Sequence, residues 1–434
     1  MDYKLESNAC SLSDTDLFTA PFTQIDIQHG HYEEKYPISK LSDEGAIEFS
    51  ISNSGEHFLD LANSFLYLKI QILKGSGANL SSSDSVAPIN NIVSSLFSQI
   101  DVTLNGTLVS TSNNLHAYQS YLETLLNYGG DSKNSQLQLG LYAKDQDGGV
   151  GEHDPKNTTA LKARVALFKS SNVVEVIGKI HSDLFHQGKL ILNGVPIKIS
   201  MHRNRAEFCL LSTADNADFK IAIVEAVLKL RKVQLTPHKF VEIQKNLEKS
   251  PVLYPIDRIE MRVRTVPAGL NGLTWTNVFS GTIPTRLIIG IVENEGYSGN
   301  YKKNPFNFEH CNARSIGVSY DGELTPAKKI KLDFSKGHYL NGYQSLFEVS
   351  GKFGHDAGFE ISKDDYKDGY TMYGFDISQS MCNTSNHQEP TRRGDLKIEI
   401  EFQKALSKTV TVIVYADFDA VISIDKFRNV LKHY

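Results

Sequence analysis

Alternation of apolar and polar residues marks the clearest strands of this chain. Residues 394–403 carry an apolar side chain at every second position, namely Leu396, Ile398, Ile400 and Phe402. Because successive side chains of a strand point to opposite faces, this segment is predicted to bury one face and expose the other. Residues 409–417 are apolar on both faces and rich in β-branched residues, which predicts a strand buried on both sides.

Similar patterns recur along the whole chain and predict an all-β fold. Residues 190–201 and 219–233 are the counterparts of this pair in the first half. Further strands are predicted at 46–52, 65–73, 99–109, 163–168, 173–180, 258–266 and 286–292. About ten strands per half with sparse helices describe a β-sandwich or a jelly roll. The alternation alone does not separate a jelly roll from an immunoglobulin-like topology.

Helices are predicted at a few matching places. Apolar residues follow helical spacing after Asn114, and again at residues 340–347. Thr236 followed by Pro237 predicts a helix start near the middle of the chain, because proline suits the first helical position. We therefore interpret residues 235–251 as a connector between two halves. Long polar segments of the kind that often carries function or interaction are predicted as loops at 128–159, 294–314 and 350–392.

Two short motifs occur twice, at nearly the same separation. Residues 100–108, with an Asn-Gly turn, are echoed by residues 316–324, with an Asp-Gly turn. The triplet Tyr-Gln-Ser at 118–120 is echoed at 343–345, and the two offsets are 216 and 225 residues. Such hairpin turns are common, so either echo alone would be weak evidence. Two echoes in the same order, far longer in period than a solenoid repeat, predict a duplicated domain.

Composition and charge limit the classes of function. The 434 residues are 40% hydrophobic and 22% charged, which is typical of globular proteins and allows about two large all-β domains. A net charge of −5 gives no global field to attract nucleic acid or anionic membrane. Four scattered cysteines argue against a disulfide framework or a structural zinc site. Neither a signal peptide nor a membrane span is expected, because no suitable apolar run is present.

The most specific metal candidate lies near the start of the chain. His29 and His31, followed by Glu33 and Glu34, form part of the metal-binding pattern of cupin-type jelly rolls. Glu34 comes one residue too early for that pattern, and no second glycine-flanked histidine motif follows. We therefore interpret the two histidines as surface residues of a polar N-terminal arm.

Other candidate ligands and motifs fail on their spacing. His181 and His186 are five residues apart, which on a strand puts them on opposite faces. They are therefore not expected to bind the same metal ion. Residues 145–149 begin like a calcium loop but lack its later oxygen ligands, and we interpret them as an exposed turn. The sequence contains neither a phosphate-binding loop nor a nucleophile elbow. We predict no catalytic, cofactor-binding or metal-binding residues, and no enzyme.

Residues 394–402, 409–419 and 422–430 resemble the C-terminal end of the major capsid proteins of Polinton/Maverick elements and adintoviruses. The Asn/Asp-Gly hairpins, the two Tyr-Gln-Ser segments and the total length are also similar, so the resemblance spans most of residues 45–430. It implies a double jelly roll of the adenovirus hexon lineage, with two tandem eight-stranded sandwiches and a few short helices. It further implies that three chains form a pseudo-hexagonal capsomer, which tiles an icosahedral shell around double-stranded DNA.

The resemblance and the duplication together give an expected organisation. We expect an N-terminal arm at 1–22, a first jelly roll at 23–234, a connector helix at 235–251, a second jelly roll at 252–430 and a tail at 431–434. The implied partners are two further copies of the chain, neighbouring capsomers and a single-jelly-roll penton protein, without sequence-specific nucleic-acid contacts. The implied location is the virion, with assembly in the host nucleus or cytoplasm.

Two alternatives from other classes stay open at this point. A tandem β-sandwich that binds carbohydrate or acts in recognition at the cell surface is the first. It is disfavoured by the missing signal peptide, the unpaired cysteines and the lack of exposed aromatic clusters. An enzyme on a double cupin-like barrel is the second, and it is disfavoured because suitable metal ligands are missing.

Overall fold

A computed structural model describes residues 17, 20, 22–41, 45–53, 55–145, 159–380 and 388–434. The strands of the first half are β1 (Ile27–Lys35), β2 (Ile47–Ile51), β3 (His57–Lys74), β4 (Val86–Pro88), β5 (Phe97–Leu104), β6 (Thr107–Leu108), β7 (Val174–Lys179), β8 (Ile197–Arg203), β9 (Leu210–Ser212) and β10 (Phe219–Leu235). Those of the second half are β11 (Val252–Val266), β12 (Gly272–Trp275), β13 (Ser280–Thr282), β14 (Arg286–Glu293), β15 (Ala313–Tyr320), β16 (Glu323–Lys331), β17 (Met372–Asp376), β18 (Arg393–Phe402), β19 (Val410–Ile424) and β20 (Val430–His433).

Helices are short and lie between the strands. They are α1 (Ile92–Ser95), α2 (His116–Asn127), α3 (Gly130–Lys133), α4 (Thr159–Leu167), α5 (Asp183–His186), α6 (Ala206–Cys209), α7 (Pro237–Leu247), α8 (Asn294–Ser298), α9 (Leu340–Val349) and α10 (Lys363–Lys367). Helix α7 begins with Pro237 directly after Thr236, so a helix starts where this pair predicts one. We call strands β1–β10 the first sandwich and strands β11–β20 the second sandwich.

Each sandwich is built from two antiparallel sheets with the same strand plan. The first sandwich has the orders β1-β10-β3-β7 and β2-β8-β5-β6, with β4 and β9 as a separate pair. The second has β11-β19-β14-β17 and β12-β18-β15-β16, with β13 beside β18 and β20 beside β19. In both, the first strand pairs with the last long strand of the same half. This is the jelly-roll topology, and the chain is a double jelly roll, as the resemblance to capsid proteins implied.

The apolar patterns behave in the sheets as the alternation predicts. In β18, Leu396, Ile398 and Ile400 are at most 1% exposed, whereas the intervening residues reach solvent. In β19, every residue from Val410 to Phe418 is buried, since this strand lies inside its sheet between β11 and β14. These inward faces join the apolar core of the molecule.

Both sequence echoes fall at equivalent places in the two sandwiches. Asn105 and Gly106 connect β5 to β6, and Asp321 and Gly322 connect β15 to β16. All four have φ between 44° and 89°, as a type I′ hairpin turn requires. Each hairpin forms the same edge of its sheet. The helix that follows it, α2 in the first half and α9 in the second, carries the Tyr-Gln-Ser triplet. This equivalence is what duplication of one domain produces.

One predicted strand is wrong. Residues 163–168 belong largely to helix α4, and the buried residues are Leu161, Arg164 and Phe168, each at most 2% exposed. Their spacings of three and four residues place them on one helical face. A short apolar segment fits either period, and its alanines favour the helix.

Two strands lie where the sequence predicted a loop or an arm. Strand β17 lies within residues 350–392, and its first four residues are buried, although Gly374 interrupts the apolar run. Strand β1 is an edge strand with almost every residue exposed, so no apolar alternation marks it. Polar composition is a common way to protect an edge strand, and it also hides the strand from pattern analysis.

Candidate functional site

The two sandwiches meet at a junction built around helix α2. The Tyr118 hydroxyl donates to the carbonyl oxygen of Pro305 at 3.1 Å, and the Tyr121 ring stacks on Phe306 with centroids 4.1 Å apart. Tyr118, Tyr121 and Phe306 are at most 2% exposed, and Pro305 is also buried. Buried aromatic pairs add about 0.5–1.5 kcal/mol each beyond the area they remove from water. The junction is therefore a continuous part of the core.

Lysine side chains fasten the same junction from one side. The Lys133 Nζ donates to Leu125 O at 2.8 Å in its own half and to Phe359 O at 2.5 Å in the second half. In the opposite direction, the Lys352 Nζ of the second half donates to Leu126 O of the first half at 2.6 Å. Each of the two lysines satisfies a carbonyl near the C-terminal end of α2, where helices leave such groups unpaired. Helix α2 is thus held by side chains from both halves.

A buried ion pair adds to these crossings. Arg164 Nη2 and Asp145 Oδ1 are 2.7 Å apart, with both side chains at most 4% exposed. The Tyr370 hydroxyl of the second half donates to the backbone carbonyl of Asp145. Asp145 is therefore not part of an exposed turn as predicted, because the salt bridge and burial fix it in the core; residues 146–150 lie outside the described residues.

The C-terminal segment contacts the first sandwich where a tail was expected. Strand β20 pairs with β19, and the Arg428 Nε donates to Asn193 O at 2.8 Å. Asn105, at the first hairpin turn, donates to the backbone carbonyl of Arg428 at 2.9 Å. The ring of Tyr434 lies under the Arg258 guanidinium, 4.7 Å from the centroid. These contacts make the last ten residues part of the junction.

Glu123, His181 and His186 form a histidine–carboxylate cluster beside this junction. Glu123 projects from α2, and its Oε2 lies 2.6 Å from His181 Nδ1 and 3.6 Å from His186 Nε2. The two imidazole rings are edge to face, with centroids 5.7 Å apart. The expectation that these histidines lie on opposite faces is wrong, because residues 183–186 form the single turn α5 and not a strand. Sequence analysis also missed Glu123, which is 58 residues from its partner His181.

Electrostatics within the cluster favour an ionised Glu123. Burial opposes ionisation, but the nearby His186 and His181 outweigh it and lower the pKa of Glu123 to about 2. Burial, with a smaller contribution from His181, lowers the pKa of His116 to about 3. Burial and then the Glu123 charge raise the pKa of Asp183 well above its ordinary value. Helix α5, which carries Asp183 and His186, packs against strand β11, so the cluster touches the second sandwich.

The predicted N-terminal candidates form a different arrangement. His29 and His31 lie on strand β1 with stacked rings 5.5 Å apart, and His31 also contacts His57. The Glu33 carboxylate is engaged by Lys232 at 2.6 Å and by Lys35 at 2.8 Å. The histidines are on the surface, as interpreted, but on a paired strand and not on an arm.

Exposed apolar side chains are concentrated near β1 and in the C-terminal segment. Those between 53% and 74% exposed include Ile25, Tyr32, Tyr36, Ile38, Phe427 and Leu431. Within the described part of the chain, β1 pairs with β10 along one edge and is the outermost strand of its sheet. Open strand edges and exposed apolar side chains are typical of surfaces that contact another chain. Among the described helices, none is long and apolar enough to cross a membrane.

Comparison with known sequences gives a distant relative. No protein-family model matches the chain. The uncharacterized protein F54H12.2 of Caenorhabditis elegans is 26% identical over 426 residues, which cover 94% of this chain and 98% of that protein.

Comparison with solved structures gives matches over nearly the whole chain. A chain of the Sputnik virophage cryo-EM structure aligns with a TM-score of 0.64 and 12% identity, covering 99% of this chain and 93% of its own. The PBCV-1 virus capsid aligns at 0.61 and 10% identity, covering 96% and 99%. The mavirus major capsid protein aligns at 0.55 and 11% identity, covering 100% and 96%. At these identities the likeness establishes the fold, a double jelly roll shared with viral capsid proteins.

Proposed function

We propose that this chain is the major capsid protein of a virus or virus-like element, with a structural role and no enzymatic one. The observation that supports the proposal most is the extent of the fold similarity. The alignment covers 99% of this chain with Sputnik and 100% with the mavirus major capsid protein, so it includes both jelly rolls. The resemblance of residues 394–430 to capsid proteins of Polinton/Maverick elements and adintoviruses favours that lineage.

We further propose that three chains form one pseudo-hexagonal capsomer. Two similar sandwiches per chain give six modules in a trimer, and a six-sided tile packs into a closed shell. The packed junction supports this arrangement, because it holds both modules of one chain in a fixed relation. The proposed modules span 23–234 and 252–430, with 235–251 as the connector.

The surface around β1 is the proposed contact with a second copy of the chain. It combines an outermost strand with the exposed apolar side chains of Tyr36 and Ile38, 60% and 64% exposed. An obligate oligomer is expected to bury roughly 2,000 Å² or more in an interface with an apolar centre. Neighbouring capsomers and a single-jelly-roll penton protein would complete a shell around double-stranded DNA, which places the chain in the virion.

Light scattering on the purified chain tests the oligomer. We expect a mass of about 145 kDa, three times the 48.4 kDa chain, that persists on dilution to nanomolar concentration. Ile38→Glu places a charge in the proposed contact and is expected to give monomers. Val173→Glu is the matched control, because Val173 is 42% exposed beside β7, at the opposite edge of the sheet from β1, and its variant should stay trimeric. A monomeric wild-type chain would contradict the proposal and favour a tandem binding protein.

A further inference from the structure

We propose that Glu123, His181 and His186 form a binding site for a divalent transition-metal ion, for which Zn²⁺ is the probe. The proposal is independent of the capsid function, since it rests on side-chain geometry within one chain. One carboxylate and two imidazoles are donors that zinc accepts in proteins, and a site with three protein ligands leaves a position for water or a fourth side chain.

The distances suit a single ion. One ligand atom from each residue lies within 4.8 Å of the other two. Tetrahedral zinc with bonds of about 2.0–2.1 Å separates its ligand atoms by about 3.4 Å. The Glu123–His186 separation of 3.6 Å is already close to that value, and the Glu123–His181 pair at 2.6 Å would open by less than an ångström.

The surroundings orient the ligands toward one point. Gln119 Nε2 donates to Glu123 Oε1 at 2.9 Å, which leaves Oε2 turned to both histidines. Such outer hydrogen bonds are typical of metal sites, where they fix the angle of the coordinating carboxylate. His186 is 40% exposed at its side chain, so the site opens to solvent for entry of an ion, whereas Glu123 and His181 are buried.

A second observation separates a ligand site from an ordinary ion pair. His116 Nε2 and Asp183 Oδ2 are buried without a hydrogen-bond partner. His116 is 5% exposed and lines the same small cavity as His181 and Asp183. A Glu123–His181 ion pair leaves both atoms unsatisfied, which is costly in a protein interior. A metal with bound water supplies a donor and a fourth coordination position beside them.

Metal binding at this cluster would strengthen the junction of the sandwiches. The ion would tie α2 to the segment containing α5, and α5 packs against β11 of the second sandwich. The expected effect is a higher unfolding temperature for the zinc-bound chain, because a ligand that binds the folded state alone stabilises it by mass action.

Zinc titration of the untagged, chelator-treated full chain tests the proposal. Calorimetry and elemental analysis should give about one Zn²⁺ per chain, with a zinc-dependent rise in unfolding temperature. His186→Ala should weaken binding at least about tenfold while the chain stays folded, because His186 is the exposed ligand. His202→Ala is the matched control, since His202 is 47% exposed and lies 3.3 Å from the Asp101 carboxylate.

Two results would overturn the metal site. The first is that the wild-type chain binds no stoichiometric zinc at micromolar concentration. The second is that His186→Ala and wild type bind with equal affinity, which would assign the ion to other residues. Glu123→Gln separates a loss of zinc binding from a loss of folding. It keeps the size of the side chain and should lose zinc binding in the same way.

Discussion

Lys133 shows how one buried side chain joins the two sandwiches. It is 2% exposed, and its ammonium donates to carbonyl groups of both halves. Burial lowers the pKa of Lys133 to about 7, so the folded protein holds this proton far less tightly than the unfolded chain does. The sequence gives no indication of this role, because Lys133 lies in a polar segment predicted as a loop.

Lys133 therefore makes stability depend on pH. Its folded pKa is below the unfolded value near 10.5, so its contribution is complete above pH 10.5 and is lost as pH falls to about 7. Between these limits the free energy of unfolding should rise with pH by up to about 1.4 kcal/mol per unit. Urea unfolding at pH 7 and pH 9 should show this slope in wild type and not in Lys133→Met. Lys336→Met, at a lysine 70% exposed, should keep the wild-type slope.

The candidate metal ligands show the limit of residue patterns. The sequence pointed to His29 and His31 because they are two apart on one segment. The cluster in the structure joins Glu123 to His181 and His186 across 58 residues, and its two histidines share a face only because a helical turn replaces the expected strand. Contacts of this kind depend on the tertiary fold, which spacing along the chain does not encode.

Long, strongly patterned elements were predictable, and short or polar ones were not. Strands β18 and β19 follow from burial on one face or on both. Strand β1 has no buried face, strand β17 is five residues long, and α4 has a pattern that fits either period. In these elements pairing and tertiary packing decide the conformation, since local preference is weak.

Packing of helix α9 on strand β17 gives a prediction at the scale of elements. A Cβ added at Gly374 would lie 2.5 Å from the backbone oxygen of Ser345 and 2.5 Å from Val349 Cγ1. Gly374→Ala should therefore push the helix from the sheet and cost about 1–3 kcal/mol of unfolding free energy, measured by denaturant titration. Gly188→Ala is the control, because its Cβ would meet no atom within 4 Å. Equal stability of both variants would contradict the packing described.

The C-terminal segment gives a prediction for the whole molecule. Deletion of residues 426–434 tests whether this segment is needed for folding. The structure makes this segment part of the junction through β20, Arg428 and Tyr434. We expect the deletion to lower the unfolding temperature by several degrees, since it removes strand pairing and contacts between sandwiches. Lys426→Ala, at an exposed position, should leave the unfolding temperature unchanged. An unchanged unfolding temperature in the truncated chain would show that the junction does not need this segment.

The duplicated plan of the molecule was predictable to a large extent, whereas the junction was not. Two echoes and the alternating strands indicated two sandwiches, and their equivalent hairpins agree with that. The junction depends on pairs such as Tyr121 with Phe306, in which each residue alone looks like an ordinary core side chain. This junction matters for the proposed capsomer, because six modules form a tile only if the two in each chain keep a fixed relation.

Negative-stain electron microscopy of the purified full chain shows directly whether the chain forms the proposed trimeric capsomer. We expect particles with a hexagonal outline and threefold symmetry, formed by three chains with two jelly rolls each. Closed shells built from such particles would support it equally. A uniform field of single two-lobed particles at micromolar concentration would contradict the capsid function.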